Sequence, residues 1–385
     1  MKKYTKLILY LISIFIFQEV FFRFFFPIPE IKNFDRINFM LLHFDGTGSK
    51  HSRDQIWEWK STLDTSVTFK HYMNRYGFRD KEWTVDKPQN KLRALFIGDS
   101  FIEGVMASQD ETIPIAFEEA SKNEYEALNG GLLGCGLNSY LQLTADMIPI
   151  FKPDLAFLCI YANDLGKKTP KIPEHYLEPD FFNRFNPRLI ELYHQSKTYG
   201  PINFRWKLDS KPYLPSVPNE GNPWTENEDK LIGEVAPTIA DNMKNSSLNP
   251  FLTNALAKEE NYLKKSPLIG ETLEFFNYVC AENKTKPIIV YIPSRNQISD
   301  YYLPFEKEYC INKCPDSMKL NKPEYQIHQQ YLKENCERLN IQFIDLTNSI
   351  KEKESNGERL YWDYDQHMRA KGYQLVGETI WNQLN

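Results

Sequence analysis

The chain has 385 residues, of which 42% are hydrophobic and 14% aromatic, with a formal net charge of -5. That length exceeds an average domain but suits one enlarged α/β domain with an ample core. A mildly acidic balance without a basic stripe excludes the electrostatic footprint of a nucleic-acid binder.

Lys2, Lys3 and Lys6 precede an almost wholly apolar run from Leu7 to Phe26. As a helix this run would span about 30 Å, the thickness of a bilayer core. Glu19 and Arg23 interrupt it, but at i, i+4 they can pair, and near an interface their long stems reach the headgroups. No small-residue cleavage site follows, and Phe24, Phe25 and Phe26 lead directly into Pro27. Residues 1–26 therefore read as an uncleaved signal anchor in a single pass. The three lysines place the N-terminus in the cytoplasm and the rest of the chain on the extracytoplasmic side.

Residues 27–90 form a polar and aromatic juxtamembrane segment expected to pack on the core. Within it, Asn74-Arg75-Tyr76-Gly77-Phe78-Arg79-Asp80 reads as a turn at Gly77 with Phe78 packed inward, and it is assigned no catalytic role. Strands and helices then alternate. Leu92 to Ile97 reads as a strand, Glu111 to Lys122 as a helix, Tyr125 to Leu128 as a short strand and Asn138 to Phe151 as an amphipathic helix. The unbroken apolar run Leu155 to Tyr161 suits a strand buried on both faces of a parallel sheet. Helix Glu271 to Glu282, strand Pro287 to Ile292, a helix opened by Pro323 and running to about Leu339, strand Ile341 to Leu346 and helix Ala370 to Leu384 complete the pattern. This alternation predicts a parallel sheet covered by helices on both faces, a three-layer α/β/α sandwich. Residues 91–164 and 271–385 make up that core, interrupted by an insertion at 165–270 rich in Pro, Asn and aromatics. A connection of this length is expected to be a subdomain of its own, rooted beside Asn163 where a substrate-shaping cap would sit.

Cys135 and Cys159 lie in apolar runs and read as buried thiols. Cys310 and Cys314 flank a short polar loop, so a disulfide between them is open in an oxidising compartment, with Cys280 and Cys336 as further candidates. Six cysteines allow 15 pairings. No cluster has metal-ligand spacing, and neither a metal nor another cofactor is assigned.

The chemistry concentrates at strand ends. Gly98-Asp99-Ser100 follows the Leu92 to Ile97 strand, placing a serine hydroxyl on the sharp turn at the carboxyl edge of the sheet, where ligands of such sheets bind. A serine is a weak nucleophile without a histidine base, a group to orient that base, and donors for the oxyanion that forms. Asn129-Gly130-Gly131-Leu132-Leu133-Gly134, Tyr161-Ala162-Asn163-Asp164 and Asp363-Tyr364-Asp365-Gln366-His367 are the later segments able to supply them. The other six histidines lack a comparable context.

These blocks, in the order Ser100, Gly134, Asn163, His367, resemble the SGNH hydrolases, also called the GDSL esterase family, whose fold is the flavodoxin-like α/β/α sandwich. The Asn74 to Asp80 stretch is similar to one that precedes the serine block in bacterial membrane-anchored members. The resemblance implies Ser100 as nucleophile, His367 as base, and an oxyanion hole made by Ser100, Gly134 and Asn163, with Gly131 as the second choice for the glycine. Two departures stand out. Tyr161-Ala162-Asn163-Asp164 lacks the usual glycine two positions before the asparagine. Tyr364 also occupies the usual place of the acid, three residues before His367. Asp365 is then assigned as the orienter through its Asp-x-His spacing, with Asp363 next.

The implied function is hydrolysis of acyl esters, acetyl above all, of envelope carbohydrate or lipid through an acyl-serine. The partners are that acylated substrate and the membrane. An O-acyltransferase using the same acyl-enzyme and a non-catalytic envelope scaffold are the alternatives.

Overall fold

The structure, a computed structural model, describes residues 2–25, 56–60, 68–74, 76–162, 164, 267–302, 326–363 and 366–384. Residues 165–266 of the expected 165–270 insertion, the Cys310 and Cys314 pair and Pro323 lie outside the described residues, as do Asn163 and Asp365.

Helix α1 (Lys2–Phe25) realises the apolar run, and its Tyr4–Phe22 stretch, with mean hydropathy 1.7 and none of it buried, is long and apolar enough to cross a membrane. Two antiparallel strands, β1 (Ile56–Lys60) and β2 (Thr68–Tyr72), then pair within the 27–90 segment. Weak periodicity had given no sign of them, because a two-stranded pair of this size needs external support more than it needs a pattern of its own.

The core is a five-stranded parallel sheet. Strands β3 (Leu92–Gly98), β4 (Tyr125–Gly131), β5 (Leu155–Tyr161), β6 (Lys286–Ile292) and β7 (Gln342–Asp345) lie in the order β4-β3-β5-β6-β7. Counted within the sheet this is the doubly wound order 2-1-3-4-5, in which the chain reverses direction between β3 and β5. Right-handed crossovers then dictate where the helices go. Helix α3 (Ile113–Ala120) connects β3 to β4 and packs against the last helix, α9 (Ala370–Asn382). After the reversal, α4 (Leu137–Phe151) packs against α5 (Pro267–Glu282), and α5 against α7 (Ile327–Leu339). Two short helices, α2 (Ser100–Glu103) and α6 (Arg295–Ile298), follow β3 and β6, and α8 (Thr347–Ser355) follows β7. The expected three-layer sandwich is the one observed.

Several element bounds move for physical reasons. α3 is shorter than expected because the Glu111 carboxylate accepts the Ser108 amide in the loop before it, and Lys122 and Asn123 adopt left-handed φ after it. β4 runs on beyond the expected end at Leu128 through Gly130 and Gly131, which pair with Ile97 and Gly98. α8 escaped notice because its sequence is mostly polar and it buries only Thr347, Ile350 and Glu354.

The motif from Asn74 to Asp80 folds into the core. Asn74 Oδ1 accepts the amides of Tyr76 and Phe78, and Gly77 takes φ 79°. Phe78 and Trp83 are buried with ring centroids 5.0 Å apart, and Trp83 also meets Phe151 of α4 edge-on. Asp80 accepts Trp83 Nε1 at 2.7 Å and the Asn129 amide at 2.8 Å, fastening the motif to β4. Burial raises its carboxyl to about 6, against the pull of neighbouring Lys81.

Cys135, Cys159, Cys280 and Cys336 are all free, buried thiols. This corrects the expectation of Cys280 and Cys336 as further disulfide candidates. They sit inside α5 and α7, and burial pushes the Cys336 thiol up to about 12 and that of Cys280 further.

Candidate active site

Ser100 opens α2 immediately beyond β3, at the point where the sheet reverses its winding. Asp99 caps this helix by accepting the Phe101 amide at 2.9 Å. A capped turn directly after a central strand is a local arrangement that fixes where the serine hydroxyl points.

Ser100 Oγ lies 2.8 Å from His367 Nε2, and both residues are buried, at 4% exposure each. The hydroxyl is thus placed to donate to an unprotonated Nε2, the arrangement in which a histidine accepts the serine proton as nucleophilic attack begins. Phe101 backs the imidazole with ring centroids 5.2 Å apart, and Tyr161 at the end of β5 stacks on Phe101 at 3.9 Å. Residues 267 positions apart in the chain meet here.

The two glycine candidates separate clearly. The Gly131 amide is consumed by Asn129 Oδ1 at 3.0 Å. A Cβ on Gly131 would lie 2.0 Å from the Glu103 amide, so this glycine exists to let α2 sit directly on the end of β4. Gly134 is exposed in a turn closed by the Cys135 amide on Leu132 O at 3.1 Å, and its φ is 76°, a conformation that favours glycine. Neither the Gly134 amide nor the Ser100 amide has a hydrogen-bond partner among the described residues. The Glu103 carboxylate accepts the Leu133 amide and so ties this turn to α2.

Asp164, the residue after Asn163, is buried and accepts both the Tyr140 hydroxyl at 2.9 Å and the Tyr161 amide at 3.0 Å. It therefore anchors the chain on both sides of position 163. Burial, reinforced by this carboxylate, holds the Tyr140 hydroxyl protonated well above its ordinary range. Only the Asn-Asp spelling pointed to Asp164.

Asp363 is fully buried, with Tyr301 Oη 3.4 Å from Oδ2 and Arg369 Nη2 3.9 Å from Oδ1. Arg295 donates to the carbonyls of Trp362 and Asp363. Sequence reasoning missed these two arginines, which carry no local pattern. Among the described residues no group of His, Cys, Asp and Glu is arranged to hold a metal ion.

No family model and no curated protein matches the chain. Among solved structures it is similar to an acetylxylan esterase from Geobacillus stearothermophilus, a catalytic mutant, at TM-score 0.40 and 11% identity over 78% of this chain and 97% of that one. It is also similar to a lipase/acylhydrolase from Enterococcus faecalis at TM-score 0.39 and 12% identity, covering 76% and 95% of the two chains. A third is the acetyl xylan esterase AlAXEase, at TM-score 0.37 and 12% identity over 76% of this chain and all of the other. At this distance, the chemistry of the chain has to be read from its own atoms.

Proposed function

We propose that this protein is a membrane-anchored serine ester hydrolase of the SGNH (GDSL) type. The observation that carries the reading is the buried Ser100 Oγ to His367 Nε2 contact of 2.8 Å at the carboxyl edge of the sheet. In the proposed cycle Nε2 removes the hydroxyl proton while Oγ attacks the ester carbonyl. The protonated imidazole then returns that proton to the departing alcohol, and water, activated by the same Nε2, releases the acid from the acyl-serine. The unengaged amides of Ser100 and Gly134 supply two oxyanion donors, and the Asn163 side chain is assigned the third. One such donor contributes about 3 to 4 kcal/mol. Asp365 orients the imidazole. Asp363 is the weaker candidate because its carboxylate already faces Tyr301 and Arg369.

The substrate class is an acyl ester, acetyl above all, of envelope carbohydrate or lipid. An extracytoplasmic catalytic domain held at the membrane by α1, with Lys2, Lys3 and Lys6 on the cytoplasmic side, would meet such esters directly. The test is turnover of p-nitrophenyl acetate and of acetylated glycans by the full-length protein in detergent, beside Ser100→Ala. Ester turnover abolished by the substitution is expected. Turnover that survives it overturns the assignment, and acetyl groups appearing on an added sugar rather than in water would make the enzyme a transferase.

A further inference from the structure

Residues 103–107, from the last residue of α2 through the loop after it, are held in an unusual way. Arg79, 1% exposed, donates through Nη1 to the carbonyls of Glu103, at 3.0 Å, and Gly104, and through Nη2 to that of Ala107 at 2.7 Å. The Tyr373 hydroxyl donates to Val105 O at 2.8 Å, and Trp362 Nε1 to Met106 O at 3.1 Å. Five consecutive carbonyls thus accept from three buried side chains. Gly104 and Met106 in this loop have φ of 82° and 66°, and for Met106 that left-handed conformation is disfavoured unless its surroundings hold it. The loop is joined to the nucleophile, since the amides of Gly104 and Val105 both donate to Ser100 O, at 2.9 and 3.0 Å.

The same residues reach the other partner. The Trp362 amide donates to His367 O at 3.1 Å while its indole holds Met106, so a single residue spans from the base segment to the nucleophile loop. Arg369 lies over the indole at 4.3 Å and donates to Tyr361 O at 3.0 Å, fixing the orientation of the tryptophan.

We propose that Trp362 is a positioning residue that sets the Ser100 to His367 distance, acting with Tyr373 and with Arg79 of the juxtamembrane motif through the carbonyls of residues 103–107. The segment preceding the sheet is then part of the catalytic apparatus without touching substrate. The catalytic consequence rests on the serine-hydrolase reading; the geometric one does not.

Tyr373→Phe deletes one donor and keeps the ring, whereas Trp362→Phe deletes one donor and exchanges the buried indole for a smaller phenyl ring, so folding of both is checked by thermal melting before the comparison. Arg79→Lys is the harsher third variant. Two measurements on the full-length protein in detergent separate the claims. The first is the His367 Nε2 resonance in ¹⁵N-histidine-labelled protein, assigned with a His367 variant and with Ser100→Ala as the reference for a broken contact. The second is kcat and KM for p-nitrophenyl acetate. Trp362→Phe should move the resonance toward the Ser100→Ala position and lower kcat on the order of tenfold to a hundredfold with KM little changed, as a misplacement near 1 Å does. Tyr373→Phe should do the same to a smaller extent. An Nε2 resonance unmoved in both phenylalanine variants overturns the proposal. A resonance that moves in a protein with no ester turnover would leave the positioning role standing and remove the esterase reading instead.

Discussion

The two ends of the central sheet each bury a densely bonded arginine, and they do opposite things. At the amino end Arg93, the second residue of β3, is fully buried. It pairs with Glu126 at 2.7 Å and donates to the carbonyls of Val85, Phe151, Thr84 and Asp86. At the carboxyl end Arg79 is just as enclosed, and burial lowers its guanidinium to about 10. Yet among the described residues only the carboxyl end sets a buried serine hydroxyl against a histidine nitrogen, with two main-chain amides unengaged nearby. Buried charge is therefore no marker of a site in this fold. What sets the carboxyl end apart is the serine–histidine contact with main-chain amides left unengaged beside it.

The sharpest way to break this contrast is at the pair itself. Ser100→Ala and His367→Ala should each reduce ester turnover by about a thousandfold or more while thermal unfolding stays nearly unchanged. The double variant should be little worse than either, since the two residues act as a unit. Asp365→Asn should take most of the same loss. Asp363→Asn, which disturbs the pocket of Tyr301 and Arg369, should register instead as about 1 to 3 kcal/mol of lost stability. Steady-state kinetics beside denaturant unfolding distinguishes the two outcomes, and a purely kinetic effect of Asp363→Asn would make it the orienting acid.

At the opposite end, Arg93→Ala strands Glu126 and four carbonyls in the interior. It should cost about 3 to 5 kcal/mol in urea unfolding with kcat retained in the surviving folded protein. A selective loss of kcat would mean that the two ends are coupled.

A pH measurement sharpens the comparison at Asp80, which links the Asn74 to Asp80 motif to β4. Its folded carboxyl is raised to about 6 from an ordinary value of 3.8, so the folded state holds the proton more tightly than the unfolded one. The group's contribution is fully present below about pH 4 and is lost as pH rises through about 6, on the order of 3 kcal/mol in all. Wild type should lose that much stability relative to Asp80→Asn between pH 4 and 7, measured by unfolding at each pH. A difference independent of pH would mean that the carboxyl is ionised throughout.

The glycines give the smallest expected effects. Gly131→Ala must displace α2 from β4 and should cost about 1 to 3 kcal/mol together with activity, as overpacking does. Gly134→Ala must hold a side chain at a φ of 76°, which by itself should cost about 1 kcal/mol of stability. Any larger kinetic penalty would come from tilting its amide. Circular-dichroism melts and kcat on the same preparations give both numbers.

Much of this molecule was legible in the chain before any contact was known. The apolar run of β5 and the apolar cores of β3 and β6 declared themselves because strands buried on both faces read as unbroken hydrophobic segments. Ser100 declared itself because its turn is local to the end of β3. The same logic failed for β1, β2 and α8, whose residues bear no strong periodic signature.

What only the tertiary structure decided is how distant segments meet. That Ser100 touches His367, that Gly131 spends its amide on Asn129 while Gly134 keeps its own, and that Asp363 turns toward Arg369 and Tyr301 all depend on contacts between separate elements. The grip on residues 103–107 is the clearest case. Arg79, Trp362 and Tyr373 bond to main-chain carbonyls, and since every residue carries a carbonyl, such a bond leaves no pattern in the sequence of the segment that accepts it.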